Sequence, residues 1–276
     1  MQPPTSHGSR PEARLAEKMA GWFHWLLIIL LAGIFALVLA ANSHALDVPG
    51  WPEALLLLLA TASTISALAR QLPLQNVLLA AGLIALMGGA AHMLGETTSL
   101  PFGPFVFGPE AGSKLFKTLP WTLPLIWVVA ILNSRGVARL ILRPWRKIRT
   151  YGFWLMGLTA VLTVLFDLAL DPFAARVKHY WLWTPTKFPV TWQGAPLVNF
   201  LSWAAVSLLI LAFVTPALIN KNPVRRAPDF HPLAAWLGAI LLFGLASASH
   251  GIWPAVALDG ATIALVTTFA VRGGKW

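Results

Sequence analysis

The chain of 276 residues contains no cysteine and only two tyrosines, and charged residues make up just 11% of it. The absence of cysteine excludes disulfide bonds, zinc–thiolate sites and iron–sulfur clusters. A soluble domain carries about 25% charged residues, so this fraction is too low for an ordinary soluble fold. The Walker loop, the dinucleotide-binding glycine turn, the serine-hydrolase elbow and the HExxH helix are also missing. Nothing therefore supports nucleotide chemistry or serine hydrolysis.

More than half of the residues are apolar. They make up 57% of the chain, and the mean hydropathy of +0.70 is typical of a polytopic membrane protein. Because about 20 apolar residues span a bilayer, we expect an all-α bundle of about eight transmembrane helices. The predicted spans are residues 21–41, 53–70, 74–94, 119–140, 151–170, 197–219, 232–249 and 252–271.

The domain organisation follows from where the first span begins. Residues 1–20 are polar and contain three prolines and a glycine, so we expect a disordered or surface-lying tail. Residues 19–41 have too long an apolar core for a signal sequence, and no clear small-residue cleavage site follows. We therefore interpret them as the first membrane helix, and residues 21–276 as a single transmembrane domain.

The fourth span is the least regular of the eight. Asn133, Ser134, Arg135 and Gly136 interrupt its apolar run. Either the helix continues to residue 140, or it ends near residue 133 and the following basic segment lies in the membrane interface as an amphipathic stretch. The sequence leaves both alternatives open.

The basic residues indicate the orientation of the bundle. The net charge is +10, but its lysines and arginines lie in short segments between apolar runs, which fits anionic lipid headgroups better than nucleic acid. With the N-terminus in the cytoplasm, 15 of the 20 basic residues fall on the cytoplasmic side and five on the other. We therefore predict a multi-pass plasma-membrane protein with both termini in the cytoplasm.

Two acidic residues end the fifth span. Asp167 and Asp171 are four residues apart, so on a helix they share one face, and Pro172 predicts that the helix ends there. A carboxylate in hydrocarbon is costly, and an acid is unfavourable at a helix C-terminus, which together favour a functional site. The structural alternative is an ion pair with a loop residue such as Arg176 or Lys178.

The topology brings other polar groups to the same, non-cytoplasmic side. We therefore expect one polar pocket in the outer half of the membrane. No tight spacing of histidine and acidic residues predicts a metal site there. The other polar residues expected at this side are His92, Glu96, Asn199, His250 and Asp259.

The two long outer loops, residues 95–118 and 171–196, are rich in aromatic residues, prolines and glycines. Polar surface loops seldom have this composition. The loops either fold back over the bundle as lids, which is allowed where the backbone is buried in protein, or their aromatic residues form the usual belt at a membrane interface.

Several ordered motifs resemble those of a known family. Residues 167–172 read DLALDP, residues 180–183 read YWLW and residues 194–203 read GAPLVNFLSW. Upstream, residues 98–107 read TSLPFGPFVF and residues 119–127 read LPWTLPLIW. Taken in chain order, these motifs resemble those of the membrane-embedded carotenoid hydratase family, to which the bisanhydrobacterioruberin hydratases belong.

The chain also departs from the family pattern. The family usually has a glutamate four residues before its glycine–threonine element, where His92 stands here, with Glu96 one turn further on. Phe105 and Phe107 replace two tyrosines, and Ser202 replaces a glycine. The similarity extends over about residues 92–203.

The resemblance implies a cofactor-free hydration of the terminal C1–C2 double bond of an acyclic carotenoid. Asp167 or Asp171 would donate the proton and its partner would stay anionic, while Asn199 and Glu96 would orient water. Which aspartate carries the proton is left open. The residues expected to bind the substrate are His92, Phe102, Phe105, Trp181, Trp183 and Trp203.

Two other functions remain open. One is a non-catalytic membrane subunit that binds a carotenoid or another long isoprenoid lipid. The other is a proton-coupled transporter of small lipophiles, although the sequence has no internal repeat of the kind transporters show. The expected partners are the isoprenoid, membrane lipids and other membrane enzymes of carotenoid biosynthesis. The identity of the carotenoid and the oligomeric state are left open.

Overall fold

The computed structural model describes residues 11–42, 51–185, 190–219 and 227–276. Within these ranges it has eight helices that are long and apolar enough to cross a membrane, which confirms the predicted all-α bundle. The helices are α1 (Pro11–Asn42), α2 (Trp51–Ala69), α3 (Leu74–Thr98), α4 (Leu123–Ile141), α5 (Tyr151–Pro172), α6 (Leu197–Val214), α7 (His231–Ser249) and α8 (Trp253–Gly274).

The first helix begins earlier than expected. It starts at Pro11, inside the segment predicted as a polar tail, and residues 1–10 lie outside the described residues. Most of α1 and α8 faces outward, whereas α4 is the most deeply buried helix and packs against α2, α3, α5, α7 and α8. The centre of the bundle is therefore α4.

The alternative in which the fourth helix ends near residue 133 is wrong, because α4 continues to Ile141. Its polar residues point into the bundle and find partners there. The Asn133 amide donates to Thr64 Oγ1 (3.0 Å), and Ser134 Oγ accepts a bond from Trp236 Nε1 (3.1 Å). Arg135 donates to the backbone oxygen of Leu218 (3.1 Å). Polar groups at membrane depth are tolerated when protein satisfies them, so they do not end the helix.

The end of the fifth helix differs in detail from the prediction. The α-helical part ends at Pro172, as expected for a residue without a backbone N–H. The chain then continues as a π-helical turn, Phe173–Val177, instead of leaving the helix. Asp171 therefore lies inside a continuous helical segment and is fully buried.

The two outer loops fold over the helix ends and pair with each other. Strand β1 (Phe105–Phe107) runs antiparallel to β4 (Trp181–Trp183), with Phe105 opposite Trp183 and Phe107 opposite Trp181. Phe105 and Trp181 are buried, as the lid alternative predicts. Two further antiparallel pairs, each of two residues a strand, are β2 (Lys114–Leu115) with β3 (Leu119–Pro120) and β5 (Thr191–Trp192) with β6 (Ala195–Pro196).

Candidate functional site

Asp167 and Asp171 are the acids of a small buried site. Both are buried, with 1% and 0% of their surface exposed. They line a cavity of about 10 Å³, and a space of roughly 10–15 Å³ is the least that holds one water molecule. The other residues that line this cavity are His92, Phe102, Phe105, Trp181, Trp183, Asn199 and Trp203.

Strand β4 fixes Asp171. Alternate residues of a strand point to the same side, so the indoles of Trp181 and Trp183 both face the helix. Their Nε1 atoms each donate to Asp171 Oδ1 at 2.9 Å. The second oxygen, Oδ2, is buried and has no hydrogen-bond partner among the described residues. Asp171 therefore has one oxygen held by two donors and one left toward the cavity.

Helix α6 fixes Asp167 in a similar way. Pro196 precedes the helix, and Asn199 lies in its first turn. The Asn199 amide nitrogen donates to Asp167 Oδ2 at 2.7 Å. Asp167 Oδ1 is buried without a partner in the described part of the chain. The amide nitrogen of Asn199 thus contacts the acid, and the expected role of Asn199 in orienting water stays a prediction.

Aromatic rings form the opposite wall. The His92 ring lies 4.1 Å from the Phe102 ring and 5.9 Å from the Trp203 ring, measured between centroids. Trp127 stacks on Trp203 at 4.0 Å and donates from Nε1 to His92 Nδ1 at 3.4 Å. His92 is therefore packed among rings rather than exposed to solvent. His92, Phe102 and Trp203 line the cavity together with the two acids, and the faces of aromatic rings are electron-rich.

Close packing of this wall depends on Gly88, one turn before His92. A Cβ atom at Gly88 would overlap the indole of Trp127. Only a residue without a side chain lets α3 approach α4 so closely.

The structure brings together nine of the ten predicted site residues, and Glu96 is the exception. Its Oε1 lies 3.9 Å from Lys114 Nζ, and it does not line the cavity. Its role in orienting water stays a prediction. Lys178 pairs with Glu53 (2.5 Å) and Arg176 donates to Gln193, so neither cation neutralises the aspartates.

Two further residues expected at this side lie outside the cavity. Asp259 packs against Gly244 at the contact of α7 and α8, and both of its carboxyl oxygens are buried without partners among the described residues. His250 follows α7 and bonds to the backbone oxygen of Ala246 (3.0 Å). Within the described ranges, no group of three or more histidine and acidic residues could hold a metal ion.

Sequence reasoning missed a large apolar groove beside the acid pair. Its volume is about 710 Å³, which is within the range of roughly 300–1,000 Å³ for small-molecule sites. Trp181 lines both the groove and the small cavity. A row of small residues on one helix could have indicated the groove. Four small residues of α7 line it, namely Ala234, Ala235, Gly238 and Ala239.

Both ends of the groove are polar. Glu53, Glu110 and Tyr180 lie at the end nearer the outer loops. Burial, with the Glu53 and Glu110 carboxylates nearby, raises the pKa of the Tyr180 phenol above its ordinary value of 10.0. The phenol is therefore protonated at physiological pH. The residues at the other end are His24, Arg70, Asp229 and His231.

Comparisons with known proteins agree with the motifs. A family model described as "Carotenoid biosynthesis protein" matches residues 53–266, well over half of the chain. Bisanhydrobacterioruberin hydratase of Haloarcula japonica is 27% identical over 140 residues, which cover 50% of this chain and 45% of that protein. The chain thus aligns with less than half of that relative's length. No solved structure matches the chain.

Proposed function

Because the chain belongs to the family of carotenoid biosynthesis proteins, we propose that it hydrates the terminal C1–C2 double bond of an acyclic carotenoid. The observation that carries this proposal is the pair of buried carboxyl groups. Each has one oxygen held by protein N–H donors and one oxygen without a partner among the described residues. The cavity beside them is large enough for about one water molecule.

The hydrogen bonds support different roles for the two acids. N–H donors stabilise the charged form of a carboxylate, and Asp171 accepts two of them on Oδ1. Asp167 accepts one, from Asn199 on Oδ2, which leaves Oδ1 to carry a proton. Asp167 is therefore the general acid and Asp171 the carboxylate.

The reaction is an acid-catalysed addition. Asp167 Oδ1 gives its proton to C2, the double-bond electrons form the new C–H bond, and a tertiary cation develops at C1. The Asp171 carboxylate and the neighbouring aromatic faces stabilise that positive charge. The oxygen of a water molecule then bonds to C1 and loses a proton to Asp171. Return of this proton to Asp167 restores the starting state, and the net change is the addition of one water.

The apolar groove supports a long isoprenoid substrate. Phe166 and Leu170 line it, each one residue before an acid of the pair on α5. The polyene lies along this groove, and its end reaches the acids only when Trp181, which lines both spaces, moves and joins the small cavity to the groove. The excess of basic residues on the opposite side of the predicted topology supports a position of the acid pair in the non-cytoplasmic half of the membrane.

A second function is favoured by one specific observation. The cavity has room for water but not for a carotenoid end, so a pigment could stay in the groove without reaching the acids. The protein would then be a non-catalytic carotenoid-binding subunit.

Expression in a lycopene-producing bacterium separates the two functions. We expect the wild-type protein to yield pigment that is heavier by one or two waters, as measured by mass spectrometry. The matched control is the Asp167→Asn, Asp171→Asn double variant, which should leave the pigment unchanged. Pigment that co-purifies with the wild-type protein at its original mass would contradict the hydratase and support the binding subunit.

A further inference from the structure

A surface of positive charge lies where α4 ends, α5 begins and α8 ends. The loop between α4 and α5 has no acidic residue, and its basic residues are Arg143, Arg146, Lys147 and Arg149. Helix α8 ends beside α4, because Gly273 packs so closely against the backbone oxygen of Leu140 that a Cβ atom there would overlap it. The last turn of α8 adds Arg272. The three helix ends therefore share one basic surface.

Three arginines of this surface lie near one phenol, and together they form an arginine cluster of Arg135, Arg139, Arg146 and Tyr151. All three guanidinium groups are close enough to Tyr151 to interact with it electrostatically. Arg139 is also close enough to repel Arg135. Within the part of the chain that the structure describes, none of the three arginines forms an ion pair with a carboxylate. The cluster thus lacks a counter-charge among the described residues.

Arg135 is the buried member of the cluster. It is 6% exposed and lies six residues, about 9 Å, before the end of α4. Its Nη2 donates to the backbone oxygen of Leu218 (3.1 Å), which satisfies a hydrogen bond but carries no net charge. A cation at membrane depth is costly unless an anion compensates it. A negatively charged ligand at this surface would therefore be favoured.

Exposed aromatic residues flank the cluster along the chain. Trp145 precedes Arg146, and Phe153 and Trp154 follow Tyr151 in the first turn of α5; all three aromatic side chains are exposed. Aromatic rings and basic residues together are typical of the level of the lipid headgroups. This arrangement suits a ligand with a negative head and apolar chains, because an acidic protein or a nucleic acid would leave the rings uncovered.

We propose that the arginine cluster binds the phosphate of an anionic phospholipid. The guanidinium groups of Arg139 and Arg146 and the phenol of Tyr151 donate to the phosphate oxygens, since bonds between ionised groups are the strong ones. Arg135 contributes its charge from below. The acyl chains lie along the exposed rings of α5. In the predicted topology this end of the bundle is cytoplasmic, where anionic lipids produce a negative surface potential.

Such a lipid would hold the ends of three helices together. The cluster has members on α4, on α5 and in the loop between them, and α8 ends beside it. A ligand that binds only the folded state stabilises it by mass action. None of the four residues lines the apolar groove or the small cavity. The inference therefore stands apart from the proposed hydratase function.

The test titrates the purified full-length protein in detergent with phosphatidylglycerol, which is anionic, or phosphatidylcholine, which is neutral. Bound lipid is counted by native mass spectrometry, and the midpoint of thermal unfolding is measured in parallel. We expect wild type to bind the anionic lipid about 25-fold more tightly, which is about fivefold for each of the two exposed arginines. The anionic lipid should also raise the unfolding midpoint more than the neutral one.

The Arg139→Gln, Arg146→Gln double variant should lose this preference, and Arg146→Gln alone should lose about fivefold. Without lipid, both variants should unfold at the wild-type midpoint, which separates a lost lipid site from a folding defect. The matched control is the Lys117→Gln, Arg176→Gln double variant, which removes two exposed positive charges from the outer loops. It should keep the full preference.

Three results would overturn the assignment. They are equal binding of both lipids by wild type, an unchanged preference in both cluster variants, and an equal loss in the outer-loop control. Inorganic phosphate is the competitor that distinguishes the source of the anion. Displacement of the lipid by millimolar inorganic phosphate would show a site for free phosphate and would also contradict the lipid site.

Discussion

Asp167 and Asp171 are chemically identical but differ in the donors around them. Two indole N–H groups hold one oxygen of Asp171, and a single amide holds one oxygen of Asp167. The sequence predicts the pair, since the spacing of four residues is enough to put both acids on one face of a helix. It does not predict the difference, which arises from residues that are distant along the chain or on another element.

The first prediction separates the two acids. Asp167→Asn removes the proton donor and should lower the hydration rate by about 10²–10⁴-fold, the usual contribution of a general acid. Asp171→Asn keeps an acceptor for the two indoles but removes the negative charge, and should lower the rate by about 10²-fold. Both rates are measured as hydrated pigment formed per amount of purified protein.

The matched control is Asp259→Asn, which changes a buried acid outside the cavity. It should keep the wild-type rate. Equal, small losses in Asp167→Asn and Asp171→Asn would contradict the assignment of distinct roles to the two acids.

At the scale of elements, the sequence predicts the helices well and the pairing of the short strands poorly. The helices depend on local hydropathy, so the predicted spans agree with the structure to within five residues, except that α1 begins ten residues before its predicted start. The pairing of β1 with β4 joins residues more than 70 positions apart, and each strand has only three residues. Such short strands leave almost no pattern in the sequence, although the alternation of Trp181 and Trp183 is consistent with a strand.

The position of Glu96 is a second feature that the sequence alone does not predict. Its position one turn after His92 predicts that both reach the pocket. In the structure the α3 face of His92 meets the rings of Phe102 and Phe105, whereas Glu96 lies by Lys114 of strand β2. A spacing of four residues fixes a face only approximately, and the loop that packs against the helix decides which side chain enters the cavity.

The second prediction concerns the contact of α3 with α4. Gly88→Ala puts a methyl group into the indole of Trp127 and should destabilise the protein by about 1–3 kcal/mol. Because Trp127 stacks on Trp203, the hydration rate should fall as well. Both effects are measured in detergent, as the midpoint of thermal unfolding and as product formed.

Gly82→Ala is the control for this change. Gly82 lies in the same helix and has open space around it, so the substitution should be neutral or slightly stabilising. A Gly88→Ala protein as stable and active as wild type would contradict the role of the close helix contact.

At the scale of the whole molecule, the bundle joins two spaces of very different size. A groove of about 710 Å³ lies beside a cavity of about 10 Å³, with Trp181 in the wall of both. Hydropathy reveals neither space, because it does not report which helices diverge. Both acids are buried, and the cavity beside them has room for about one water molecule, as the proposed addition of water requires. Under the proposed function, the protein therefore adds water to the double bond without any oxidant.

The most direct test of this claim is the origin of the added atoms. Purified protein in nanodiscs is incubated with lycopene in water labelled with deuterium and heavy oxygen, and the product is analysed by mass spectrometry and NMR. We expect one labelled oxygen on C1 and one non-exchangeable deuterium on C2, with at least about 100-fold less product from Asp167→Asn. A hydroxyl whose oxygen comes from dissolved dioxygen, or a product without deuterium on C2, would contradict it.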